Sequence, residues 1–212
     1  MNKIILAAFV LSLMAFSANA QYLGLKGGLN LSNLNVDDVD SKNMRTGYHF
    51  GAYLNLPLSD AFSFQPEVLY STKGSTVGKV YDFAGIDGTG TAELKIDYID
   101  VPLLGIFRIG NALELHVGPY IGFLANSSYN LKIEGELDGE YNDEIDSDQL
   151  KGLDYGLIGG FALNFSALQV GARYNYGLQK IKDSSTADAI FGDAKNSYFQ
   201  IFAALRIGNY DN

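Results

Sequence analysis

The chain has no cysteine and no tryptophan among its 212 residues. Without cysteine there is no disulfide framework, no thiolate nucleophile, no Cys-ligated zinc site and no lipidated N-terminal cysteine. Charge is scarce as well: 18% of residues are charged, against about 25% in an ordinary soluble domain. Acids outnumber bases 24 to 15, for a formal net charge of −9. That balance argues against nucleic acid, whose binding rests on basic contacts to phosphate. After the first twenty residues no segment is apolar for long enough to cross a membrane as a helix. No Pro/Ser-rich linker or shift of composition divides the remainder.

Glycine is abundant, at 24 residues, and the aromatics are 14 Tyr and 13 Phe. Hydrophobic residues make up 47%, too many for a disordered chain. Few charges, many glycines and many tyrosines point to an all-β protein.

Residues 1–20, MNKIILAAFVLSLMAFSANA, read as an address. Lys3 precedes an apolar stretch from Ile4 to Phe16, and Ala18-Asn19-Ala20 supplies a small-residue cleavage site. This is the pattern of a secretory signal peptide. Its apolar stretch is shorter than the roughly 20 residues of a spanning helix. Residues 21–212 are expected to form one β-barrel domain.

That expectation rests on a period of two, the signature of a strand with unlike faces. It recurs eight times. Near the start, Leu23, Leu25, Leu29 and Leu31 oppose Gly24, Lys26, Gly28 and Asn30. Over Arg45–Leu56 and Phe62–Thr72 the apolar sets are Tyr48, Phe50, Ala52, Leu54, Leu56 and Phe62, Phe64, Val68, Tyr70. A fourth strand, about Leu94–Ile109, sets Ile99, Val101, Leu103 and Phe107 against Asp100, Pro102 and Arg108. Leu94, Ile96 and Tyr98 are out of phase with that apolar set, as a bulge near Tyr98–Ile99 or a strand continuing past the membrane would produce. Leu113–Ala125, Leu153–Phe165, Leu168–Leu178 and Tyr198–Ile207 complete the count. Eight strands suit an antiparallel up-and-down barrel.

Alternation does not say which face is inside, and a soluble lipocalin-like barrel would turn the apolar face inward. Three features favour a transmembrane barrel of the outer-membrane type. Short links near Pro57–Ala61, Gly110–Asn111 and Ser166–Ala167 alternate with long ones near Ser32–Met44, Lys73–Glu93, Asn126–Gly152 and Lys180–Asn196. The polar face is glycine plus a few large charges, unlike a water-facing surface. Aromatics (Tyr48, Phe62, Tyr70, Phe107, Phe123, Tyr155, Phe165, Tyr176 and Phe199) lie near the ends of the apolar face, where interfacial girdles sit.

The polar faces carry Lys26, Arg45, His49, Glu67, Asp100, Arg108, Glu114, His116, Asp154, Arg173 and Arg206. In a narrow interior unpaired ions are costly, so these groups are expected to form a paired charge network filling the lumen. A narrow ion path lined by the same groups is the functional alternative. A histidine beside Asp100 or Glu114 could in principle activate Ser63 or Ser71, which would make a membrane-embedded lipid hydrolase. No local motif supports it, and no catalytic, cofactor or metal site is expected.

The third long link holds eight acids before Lys151: Glu134, Glu136, Asp138, Glu140, Asp143, Glu144, Asp146 and Asp148. The first holds Asp37, Asp38 and Asp40. Such carboxylates could take a hard divalent cation, but the EF-hand spacing is not met. An extracellular ligand of unknown kind is the other use such loops could have.

Several segments resemble the Bacteroidota outer-membrane β-barrel family, often labelled porin-family or PorT-like. They are Gly24-Leu25-Lys26-Gly27-Gly28-Leu29-Asn30, Asp97-Tyr98-Ile99-Asp100-Val101-Pro102-Leu103-Leu104, Gly118-Pro119-Tyr120-Ile121-Gly122, Asp154-Tyr155-Gly156-Leu157-Ile158-Gly159-Gly160 and Arg173-Tyr174-Asn175-Tyr176-Gly177-Leu178. The resemblance implies an eight-stranded barrel in the outer membrane, in contact with its lipid and inserted by the barrel-assembly machinery. It implies no particular activity. Asp100 stands where the family pattern has Glu, and the last strand ends Leu205-Arg206-Ile207 rather than in an aromatic. The reading is a non-enzymatic envelope-structural or surface-interaction barrel. A secretion or transport accessory, a narrow channel, a lipid hydrolase and a soluble binder are the alternatives.

Overall fold

The computed structural model describes residues 22–35, 45–83, 86–135, 139–144, 152–180 and 195–207. The expected signal peptide lies outside them. The described residues form nine strands: β1 (Tyr22–Asn35), β2 (Arg45–Pro57), β3 (Phe62–Phe83), β4 (Ile86–Ile109), β5 (Leu113–Gly135), β6 (Gly139–Glu144), β7 (Leu153–Phe165), β8 (Leu168–Lys180) and β9 (Lys195–Ile207). Every pairing is antiparallel, β1 joins β9, and a β4–β5 ladder closes the ring. Eight strands make the closed barrel, and β6 is an addition along the far part of β5. Closure leaves the barrel proper without an edge, so its backbone groups pair without water.

The strands are staggered. From Lys26 the register runs through Gly51, Leu69 and Asp100 to Gly122 on β5. In the other direction it runs through Ala204, Gln169 and Asn164 to Ala112. The two walks end ten residues apart, which is the stagger that tilts the strands of a small barrel. Eight strands so tilted leave an interior that side chains can fill.

The short turns lie at one end. Ser59 to Phe62 closes the β2–β3 turn by backbone hydrogen bonds, Gly110 takes φ 61° in the β4–β5 turn, and Ser166 takes φ 53° between β7 and β8. Only glycine adopts such a φ freely. Tyr22 and Ile207 are at this turn end as well. The opposite end, toward the long links, is the link end.

The apolar face is outside. Leu25, Leu29, Phe50, Val117, Leu157, Phe161, Ile201 and Leu205 are each at least half exposed. Continuous round the barrel, such a surface far exceeds the patches tolerated on water-soluble monomers. The soluble lipocalin-like alternative needs this face inside, and the structure overturns it.

Aromatic rings cluster toward both rims of the apolar band. Phe62 and Phe107 pack at 4.9 Å near the turn end. Tyr48 stacks on Phe50 and on Tyr70 toward the link end, Phe50 meets Tyr70 at a tilt, and Tyr174 meets Phe199 at 4.7 Å. From Phe62 to Tyr70, roughly eight residues of tilted strand cover about 20 Å of membrane normal.

Two expectations need correction. The link at Lys73–Glu93 is not a loop: β3 and β4 pair without a break from Ser75↔Leu94 to Phe83↔Ile86. Part of the Asn126–Gly152 link is strand too, in the far part of β5 and in β6. The apolar residues there, Val77, Val80, Tyr81, Phe83 and Ile86, fall on both parities among glycines and threonines, so the alternation that marks a membrane strand is missing although the ladder continues. The irregularity expected near Tyr98–Ile99 is present at Asp97/Tyr98, and β4 also runs on past it to Ile86. β4 keeps its phase, and Ile96 and Tyr98 are buried on the interior face with Asp100, Leu104 and Ile106. The register shift opposite Asp97/Tyr98 falls on β5, where Ala125 is the extra residue between Leu124 and Asn126.

Candidate functional site

Interior parity collects the charges on the barrel axis, and the glycines of the same faces make the space. A Cβ at Gly24 would lie 2.1 Å from the Tyr53 ring, so Gly24 is what lets that ring cross the lumen.

At the centre is Glu67 on β3. Arg173 on β8 donates from Nη1 and Nη2 to its two oxygens, each at 2.9 Å. Lys26 on β1 donates to Oε1 at 2.7 Å, as does Gln65. This bidentate, charge-assisted geometry is the strongest ion-pair form available. The Phe202 ring lies 4.4 Å from the Lys26 ammonium and 4.8 Å from the Arg173 guanidinium, so both cations also face a π surface.

His116 links this centre to the turn end. Its Nδ1 accepts from Arg173 Nε at 3.0 Å. That leaves the ring proton on Nε2, which lies 3.5 Å from Glu114 Oε2. Glu114 is shared by Arg206 at 3.3 Å, Arg108 at 3.7 Å and the Gln169 amide at 2.7 Å. Arg206 also donates to Asn164, and Arg108 to Ser63 and Asn55.

A separate cluster fills the link end. Lys73 Nζ lies 2.9 Å from Asp100 and 3.3 Å from Asp154. The rings of Tyr98, Tyr198 and Tyr120 surround it at 4.6, 4.8 and 5.1 Å. Tyr198 and Tyr120 donate to the same two carboxylates. Sequence reading misses Lys73 because it assigns that residue to a loop. The signal was there: Lys73 has the parity of Glu67 and Ser71.

The remaining residues singled out in the sequence are placed differently. His49 is bonded to Asn30 Oδ1 at 2.8 Å, not to a carboxylate. Arg45 donates to the Lys73 main-chain carbonyl at 3.3 Å, at the link end. Ser71 accepts from Asn30 and Ser63 from Arg108. Both hydroxyls are fully buried, and among the described residues neither is bonded to a histidine. Of the acidic residues in the long links, Asp37, Asp38, Asp40, Glu136, Asp138, Asp146 and Asp148 lie outside the described residues.

Lys26, Glu67, Lys73, Asp100, His116, Asp154 and Arg173 are each no more than 4% exposed. The lumen of this barrel is occupied by its own side chains.

A closed ring of strands, apolar toward lipid and charged within, is a transmembrane β-barrel. The family model for the outer membrane protein beta-barrel domain matches residues 18–183. The chain belongs to that family, and its place is the outer membrane. Among solved structures it is similar to Ail, the attachment invasion locus protein of Yersinia pestis, with TM-score 0.47 and 12% identity over 89% of this chain and 100% of that one. Neisserial surface protein A gives 0.41 and 11% over 90% and 99%. The outer membrane enzyme PagL gives 0.34 and 12% over 89% and 100%. No curated protein matches the sequence.

Proposed function

We propose that this chain is a non-conducting, non-enzymatic barrel of the cell envelope that acts by contact through the sheet it projects at its link end. The observation that carries the reading is the filled lumen. Paired ions close both the centre and the link end, and no described histidine is set to activate a buried serine. What is left for function is the surface that the barrel holds rigidly.

That surface is large. The β3–β4 ladder runs from Tyr70↔Ile99 to Phe83↔Ile86, about 40 Å of strand at roughly 3.3 Å per residue. β5 and β6 widen it into a four-stranded sheet. Short turns at one end and long excursions at the other are the arrangement of periplasmic and external sides, so the sheet faces outward in this proposal. Delivery by a signal peptide ending at Ala20, insertion by the barrel-assembly machinery and seating in outer-membrane lipid belong to the same proposal. The motif resemblance supports a place near the Bacteroidota porin-family or PorT-like barrels.

The test is conductance of the full chain in a planar bilayer. No steady current above the bare membrane is expected. Stable ohmic steps would replace this reading with a channel. Loss of a secreted cargo in a strain lacking the chain, without conductance, would favour a secretion-accessory role.

A further inference from the structure

Three of the four prolines lie inside strands of the membrane band, and the register puts them in a row. Proline has no N–H to give a ladder. In an antiparallel pair a residue's N–H and C=O face the same neighbour, so the skipped partners show where each donor is missing. The β2–β3 ladder skips from Tyr53↔Glu67 to Leu56↔Phe64, which sets Leu54 opposite Pro66. The β3–β4 ladder skips from Pro66↔Leu103 to Leu69↔Asp100, which sets Glu67 opposite Pro102. The β4–β5 ladder skips from Pro102↔Tyr120 to Gly105↔Val117, which sets Leu103 opposite Pro119. Each break begins at the residue next to the one where the previous break ended. Three consecutive ladders are therefore weakened along one line between the Phe62 and Tyr70 levels. The opposite wall, β7–β8, β8–β9, β9–β1 and β1–β2, pairs without a break through the membrane band.

A second observation falls on the same wall. Two buried apolar clusters interrupt the polar interior: Tyr22, Tyr53, Ala162, Phe202 and Ala204 lie on β1, β2, β7 and β9, away from the row, while Leu104, Ile106, Tyr120 and Ile158 lie on β4, β5 and β7 beside it. Leu104 is itself one of the residues skipped by the β4–β5 ladder. On the outside, Val117 and Leu157 are exposed beside the break and Pro119 faces outward with them. Apolar surface thus lies on both sides of the weakest line in the wall. A missing ladder donor in hydrocarbon is costly.

We propose that the proline row is a lateral seam through which the hydrocarbon chain of a membrane lipid reaches the Leu104–Ile106–Ile158 cluster. The acyl chain is the occupant because the seam opens onto the hydrocarbon core, where no other ligand is at comparable concentration. The cluster offers it methyl groups, with the Tyr120 ring at one side. The ion clusters of the lumen are left in place. The structure is the closed form, with Leu104 and Ile106 fully buried. Strands β4 and β5 part at Leu103 and Pro119 to admit the chain. The seam is independent of the projecting sheet and of whatever that sheet contacts.

The test uses the folded full-length chain in phospholipid nanodiscs, deuterated except for Leu and Ile methyl groups, with protonated lipid chains. Nuclear Overhauser effects from lipid methylenes to the Leu104, Ile106 and Ile158 methyls are expected. They should fall several-fold in Pro119→Val, which restores the N–H facing Leu103 at an outward position and should raise the thermal midpoint. Contacts confined to the outward methyls of Leu103, Leu115 and Leu157 in the wild-type chain would overturn the proposal. So would cross-peaks from water, in place of lipid, to the interior methyls.

Discussion

At the scale of single residues, the central carboxylate decides the state of the lumen. Glu67 is paired with both Lys26 and Arg173. Glu67→Gln keeps the shape and leaves two buried cations without their counter-ion. Breaking a buried pair from one side typically costs about 3–5 kcal/mol. The variant should unfold from lipid vesicles at a clearly lower urea concentration than the wild-type chain, and an unchanged midpoint would mean the network does not hold the barrel. Glycine sets the other residue-scale limit. A Cβ at Gly28 would lie 2.0 Å from the Ile201 carbonyl oxygen and 2.7 Å from Phe202 Cα. Both are backbone atoms of the neighbouring strand, which cannot swing aside as a side chain can. Gly28→Val should keep β1 from closing on β9, seen as loss of the SDS-resistant folded band.

At the scale of elements, the projecting hairpin and the barrel are separable. Beyond Lys73 the far part of β3 has β4 as its ladder partner and takes no part in closing the ring. Replacing residues 75–94 by a short Gly-containing turn should therefore leave the heat-modifiable barrel intact. Loss of the folded barrel would show that the extension is needed for closure. The eight membrane strands were legible because burial against lipid on one side and ions on the other enforces period two. The extension was not, since outside the membrane nothing enforces that contrast. The bulge was half legible: its level near Tyr98 showed, but β4 keeps its phase and the register assigns the extra residue to Ala125 on β5. The lumen residues followed from parity, except Lys73, lost with the loop assignment. The prolines are plain in the sequence, but their alignment across Leu54, Glu67 and Leu103 exists only once the stagger is known.

At the scale of the whole molecule, the chain is an inside-out protein. Its apolar residues face lipid, its ions pair along the axis, and its projecting sheet is carried on a closed ring. Three ladders share a proline seam, while the remaining wall pairs continuously, so the barrel is stiffer on the β8–β9–β1 side. That stiffer wall is the place to test the facing of the strands, away from the seam. The chain has no cysteine, so each introduced thiol is unique and carries a fluorophore without background. Single cysteines are placed at successive positions of β9 from Phe199 to Leu205, and each labelled, folded variant is quenched by spin-labelled lipid chains. The account predicts strong quenching at Phe199, Ile201, Ala203 and Leu205 and weak quenching at Gln200, Phe202 and Ala204. The reverse pattern, or quenching with no alternation, would contradict it.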